Sequence, residues 1–202
     1  MRKFMPYKKY ASLFLFALLS ACITTFCDGI HVYTQTLSYP DPFLFGQAWW
    51  VFPGFVLAFL FMGSAYDFVA GRLLYGVRVR QSVSRGNARE LIETATAFAF
   101  VYLISGFGNV EPVLLSVIFY TAFLVRWFFS YERLWLLLLA IIMAVGGMFV
   151  EGSLSAAGWV TYRHVDVFHV PFWLGGLYVH GAFALREGLR VFVYTSSSSR
   201  LN

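Results

Sequence analysis

Six apolar stretches separated by short polar connections set the plan of this chain: residues 10–27, 47–69, 90–107, 113–129, 134–150 and 170–188. The most apolar part of each covers about 16–19 residues, extendable by a turn, and about 20 residues of helix cross a hydrocarbon layer roughly 30 Å thick. Lipid offers no water to unpaired backbone groups, so helices are the expected form. The pattern predicts an all-α fold, a polytopic membrane protein built as a six-transmembrane-helix bundle with short loops. It forms one integral membrane domain over residues 1–202. No soluble domain, long linker or internal repeat stands out, and Ser196–Ser199 reads as a frayed tail.

Two stretches leave a choice open. A helix beginning near Phe43 would carry Pro53 in its interior and kink there, whereas one beginning at Val51 makes Pro53 a first-turn proline. In the first stretch, Leu19-Ser20-Ala21-Cys22 after a basic start fits a lipoprotein cleavage signal. The apolar run continues past it through Ile23 and Phe26, so the stretch is read as a genuine span.

Composition agrees with the pattern. Hydrophobic residues make up 59% of the chain and charged residues only 12%, against about 25% charged in a soluble domain. The net charge of +5 has a simple source in membrane topology. Of the 15 lysines and arginines, all but Arg163 fall on one side of the six-span arrangement, whereas Asp28, Asp41, Glu111, Glu151 and Asp166 fall with Arg163. By the positive-inside rule both termini are cytoplasmic. No recognition motif supports nucleic acid as a partner. Cys22 and Cys27 lie about 7.5 Å apart along a helix and on different faces, so they cannot pair.

The chemistry available inside the spans is sparse. His180 would lie about 13–14 Å deep in the last span, near mid-membrane, where an ionisable side chain faces protein, a cavity or a ligand. Two readings stay open: a neutral imidazole bonding across helices, and a lining residue of a ligand cavity. Tyr120 would reach a similar depth, and Gln47, Tyr102, Ser105 and Thr121 are further neutral donors. Such a set suits an uncharged lipid or sterol. An ion path would want several buried carboxylates, and Asp67, Glu93, Glu132 and Glu187 instead fall near span ends. Ser116 and His180 occupy the spans used by six-span serine proteases, but Ser116 lies well above His180 and lacks a Gly-x-Ser-Gly context. His164 and His169 flank Asp166 at a spacing poor for metal, which reads as a wetted loop, and no metal ligand set is expected. Gly146-Gly147, Gly175-Gly176, Gly181 and Ala184-x-x-x-Gly188 supply small surfaces for close packing within the bundle or for an oligomer contact.

Several of these residues also resemble a known family. Ala48-Trp49-Trp50-Val51-x-Pro53 with Gly63 and Tyr66 resembles the second span of the Insig (insulin-induced gene) proteins. Tyr162-x-x-x-Asp166, Val170, Trp173-Leu174, Gly181 and Arg190 resemble their last span, and Leu115-Ser116 with Trp127 their fourth. The resemblance implies endoplasmic-reticulum proteins, or a bacterial homologue in the cell membrane, that bind oxysterols within the bundle and hold partner membrane proteins. An Asp-Arg pair at the end of span four serves partner binding in the family; the nearest match here, Glu132-Arg133, is displaced by one residue and has Glu for Asp.

The expectation is an Insig-like membrane protein without catalytic activity or cofactor. It would bind a neutral lipid, a sterol or a diacylglycerol-like molecule, in a central cavity. Gln47, Trp49 and Trp50 are placed at the mouth, Tyr120, Trp127 and Trp173 on the walls and His180 at depth, with Glu132 and Arg133 as a partner surface. A homo-oligomer and a regulated membrane partner fit the same picture. The alternative is a small transporter or channel for an uncharged solute.

Overall fold

The computed structural model describes residues 7–74 and 79–194. Arg2, Lys3, Arg78, Arg200 and the Ser196–Ser199 run lie outside the described residues, as does the side chain of Arg72. Among the described residues the α-helices are α1 (Tyr7–Tyr33), α2 (Val51–Phe68, continued by a π-helical turn over Val69–Leu73), α3 (Ala88–Phe107), α4 (Pro112–Phe128), α5 (Arg133–Ala156) and α6 (Trp173–Phe192). Two short strands, β1 (Leu37–Ser38) and β2 (Thr161–Tyr162), pair antiparallel beyond the ends of α1 and α5. Lys9, Asp67 and Tyr194 meet in one cluster, so the start of α1 and the ends of α2 and α6 share one end of the bundle, the basic end.

α1, α2, α3 and α5 are long and apolar enough to cross a membrane. Exposed side chains such as Phe14, Leu57, Phe61, Phe100, Ile141 and Phe149 cover their outer faces, as lipid contact requires. α4 is apolar but shorter, at 17 residues. α6 differs in kind: it packs against α1, α3, α4 and α5, and all but four of its residues are buried. Being walled by protein, it can carry Arg186, Glu187 and Arg190, provided they pair with one another. Its small residues make that central position possible. A side chain at Gly176 would run into Phe119, at Gly175 into Tyr120 and Met148, and at Gly188 into Phe16. Gly147 does the same for the Tyr178 ring, so these glycines serve close packing within the chain, while Gly146 faces open space.

α2 begins at Val51, so Pro53 sits in its first turn and no interior kink is built around it. Residues 43–50 form a separate turn, with Leu44 bridged to Gln47 and positive φ at Phe45 and Gly46.

That turn has a twin, and with it the expectation of no internal repeat is corrected. Val167 is bridged to Val170, with positive φ at Phe168 and His169, just before α6. One constant shift in numbering carries Leu44 onto Val167, Gln47 onto Val170 and Trp50 onto Trp173. The same shift carries Asp28 onto Glu151 and Tyr39 onto Tyr162, and in each pair the tyrosine hydroxyl donates to the carboxylate at 2.8 Å, 11 residues away. It also carries Ser38 onto Thr161, which are paired across the two strands. The connections leading from α1 to α2 and from α5 to α6 therefore repeat one local pattern, although α6 is central in the bundle and α2 is not. α3–α4 is inserted between them. The repeat is hard to see in the sequence because Asp replaces Glu, Gly replaces His and most apolar positions have exchanged one hydrocarbon side chain for another.

Candidate functional site

The end opposite the basic end is closed by the two tyrosine–carboxylate pairs. Asp28 is buried near the end of α1; its Oδ2 accepts from Tyr39 and from Gln47 Nε2, each at 2.8 Å. Glu151 accepts from Tyr162 at 2.8 Å and from Tyr178 of α6 at 3.0 Å. Burial, reinforced by the carboxylates beside them, pushes the Tyr39 and Tyr162 phenols well above their ordinary range, so both remain protonated donors. Each carboxylate thus ties the strand after its helix back onto the bundle.

The residues expected to surround one lipid are not brought together. Gln47 is buried, its amide donating to Thr25 O and Asp28, so it staples the 43–50 turn to α1. Trp49 points outward, 71% exposed. Trp50 is half-buried between the rings of Tyr39 and Trp159. Trp173 is fully buried; its Nε1–H donates to Asn109 Oδ1 at 3.0 Å and its ring meets His31 edge-on. Trp127, half-buried at the basic end, donates to the Arg133 carbonyl at 2.8 Å.

His180 faces α4 and is 1% exposed. Its Nε2–H donates to the Phe119 carbonyl at 3.0 Å, and its Nδ1 accepts from Arg126 Nη1 at 2.8 Å. Because an arginine can only donate, the ring is neutral with its proton on Nε2. Of the two readings of His180, this geometry is the inter-helix one. His180→Phe should lower stability by about 1–3 kcal/mol, because the Phe119 carbonyl and Arg126 each lose a partner. The drop in apparent Tm in detergent checks this.

Glu132 and Arg133 face different tasks. Glu132 sits in the left-handed region at φ 45° and turns its carboxylate back to receive the backbone N–H of Gln81 (2.8 Å), that of Ser82 (2.9 Å) and the Ser82 hydroxyl. It thereby holds the 79–84 turn against the start of α5. Arg133 is exposed, lying over the Phe128 ring.

Below this turn lies a charge cluster around Glu187, one of the carboxylates that the sequence places near a span end. Arg186, Glu187 and Arg190 are 3%, 2% and 5% exposed. Glu187 accepts from Arg186 at 3.0 Å, from Arg190 at 2.5 Å and from Tyr131 at 2.6 Å. Arg190 also reaches Glu90 of α3 at 2.9 Å, and Arg186 reaches the Tyr131 carbonyl and Ser130. The cluster joins α3, the α4–α5 corner and α6.

Two open depressions are present among the described residues. One, of about 550 Å³, lies beside the strands and is lined by Val32, Gln35, Leu37, Thr161, Tyr162 and Arg163, among others. The other, of about 280 Å³, is an apolar groove between α4 and α5, floored by Val179 of α6. Its walls are Tyr120, Phe123 and Leu124 on one side and Ile141, Ala144 and Val145 on the other. Of the seven expected lipid contacts, Tyr120 lines it; its hydroxyl donates to the Phe172 carbonyl at 3.2 Å.

No protein-family model and no curated protein sequence matches the chain. Solved structures do. The crystal structure of MvINS, a mycobacterial Insig homologue from Mycobacterium vanbaalenii, superposes with a TM-score of 0.69 at 19% identity, covering 99% of this chain and 100% of that one. The fold is Insig-like. A cross-linked trimer of a cysteine variant of MvINS matches with a TM-score of 0.66 at 20% identity, over 94% of this chain and 96% of that one. The Insig-like fold agrees with the resemblance carried by Trp49-Trp50, Pro53 and the last span, and with the apolar helices it makes the chain an integral membrane protein.

Proposed function

We propose that this Insig-like protein is a non-enzymatic binder of a neutral lipid, with an acyl chain or ring system lying in the α4–α5 groove. The groove carries the reading: it is bounded by side chains of α4, α5 and α6 and its lining is apolar apart from the Tyr120 hydroxyl. Transfer from a bilayer into such a groove gains no hydrophobic free energy, because lipid tails are already apolar. Selectivity then comes from shape and from the few polar groups near the ends, Tyr120 and the Phe172 carbonyl among them. A sterol or a diacylglycerol-like lipid fits both demands, and a charged solute does not.

The positive-inside rule places the basic end, with both termini, in the cytoplasm. The α4–α5 corner, with Arg133 exposed and Glu132 committed to the 79–84 turn, is the surface offered to a membrane partner. A homo-oligomer is part of the same proposal, since a relative of this fold has been captured as a cross-linked trimer.

Lipid retained through purification, identified by mass spectrometry, tests the reading. Ala144→Phe fills the groove and should reduce retained neutral lipid several-fold while the protein stays folded. Unchanged retention in that variant would remove the groove from the site. Solute flux through proteoliposomes would favour a transporter instead.

A further inference from the structure

Arg126 is a cation with no carboxylate partner among the described residues. Every other lysine or arginine whose described side chain is half-buried or deeper has a carboxylate: Lys9 has Asp67, Arg186 has Glu187, and Arg190 has Glu187 and Glu90. Among the described residues no carboxylate lies within ion-pair distance of Arg126, half-buried two residues before the end of α4. The Arg126 Cα lies about 3 Å inside that end, and its side chain runs inward from there to His180.

Its guanidinium is held in place by two contacts. Cζ lies 4.2 Å from the centre of the Phe183 ring, and Nη1 donates to His180 Nδ1 at 2.8 Å. His180 is in turn fixed by the Phe119 carbonyl. Arg186, itself paired with Glu187, lies against the same Phe183 ring, 6.0 Å from its centre. A planar cation so positioned keeps most of its N–H groups for an outside acceptor, in the fork geometry that suits phosphate oxygens. Basic pockets between helices on the cytoplasmic side of membrane proteins serve that purpose.

We propose that Arg126, oriented by His180 and Phe183, binds a phosphate group at the basic end of α4, carried by a lipid headgroup or by a soluble phosphate. This site adjoins the α4–α5 groove: Phe123, on the groove wall, packs against His180 and Phe183, the two residues that hold the Arg126 guanidinium.

The test uses the full chain in a neutral detergent, with phosphatidylglycerol as probe and native mass spectrometry as the readout. Wild-type protein should retain the lipid about tenfold more than Arg126→Gln, while Arg89→Gln, an exposed arginine on α3, should match wild type. Arg126→Lys keeps the charge and loses the fork, and should fall several-fold below wild type; it carries the test if the glutamine variant does not fold. Equal retention by wild type and the Arg126 variants overturns the proposal, as does an equal loss in Arg89→Gln, which marks general attraction to a basic face. Displacement of the lipid by millimolar inorganic phosphate assigns the site to a soluble phosphate, and persistence assigns it to the headgroup.

Discussion

Glu187→Gln should lower stability by about 3–5 kcal/mol, the cost expected when one member of a buried ion-pair cluster is neutralised. Glu187 is 2% exposed and answers Arg186, Arg190 and the Tyr131 hydroxyl at once. Its removal leaves Arg186 buried with neutral partners and Arg190 with Glu90, itself on the exposed edge of α3. The effect should reach beyond α6. The 79–86 turn also rests on this end, since Gly86 N–H donates to the Arg190 carbonyl at 3.0 Å. A large fall in apparent Tm in detergent, with early proteolysis between α2 and α3, is the expected outcome. A variant as stable as wild type would mean that water already solvates the cluster.

Trp173→Ala should be of similar size, about 3–5 kcal/mol, because it empties the largest fully buried side chain in the bundle. Trp173→Phe separates the two contributions. It keeps most of the ring volume but leaves Asn109 Oδ1 without its donor, and should cost about 1–3 kcal/mol. Thermal denaturation of the two variants side by side gives the ratio. Near-equal losses would assign the role of Trp173 to the hydrogen bond rather than to volume.

The number of helices and their order were legible because lipid imposes a coarse code: a span must be apolar and long, and basic residues collect on one side. What that code does not reach is anything paid for by local hydrogen bonding. Asp28 and Glu151 were expected among the outer loops, yet α1 and α5 extend past them to Tyr33 and Ala156, since Tyr39, Gln47, Tyr162 and Tyr178 supply donors that make burial tolerable. The start of α2 at Val51 depended on positive φ at Phe45, a residue type that gives no warning of it.

The candidate site was read less well, for a related reason. Depth along a helix can be counted, but the direction of a side chain round the axis depends on neighbours the pattern does not name. That His180 falls inside the last helix can be read from the sequence, while its hydrogen bonds to Phe119 and Arg126 depend on how α4 lies against α6. Arg126 passed as one more basic residue in the charge partition. The signal that singles it out is local: it falls inside the fourth apolar stretch, and no acid stands three or four residues to either side.

The matching α1–α2 and α5–α6 connections constrain what could ever be placed between these two helix pairs. Both units begin from the same face of the membrane, so any intervening segment must depart from and return to that face, crossing an even number of times or none. α3–α4 obeys this as a single out-and-back excursion. A variant lineage that dropped it, or gained a second such pair, would keep the orientation of every remaining helix; one that gained a lone crossing would invert its entire second half.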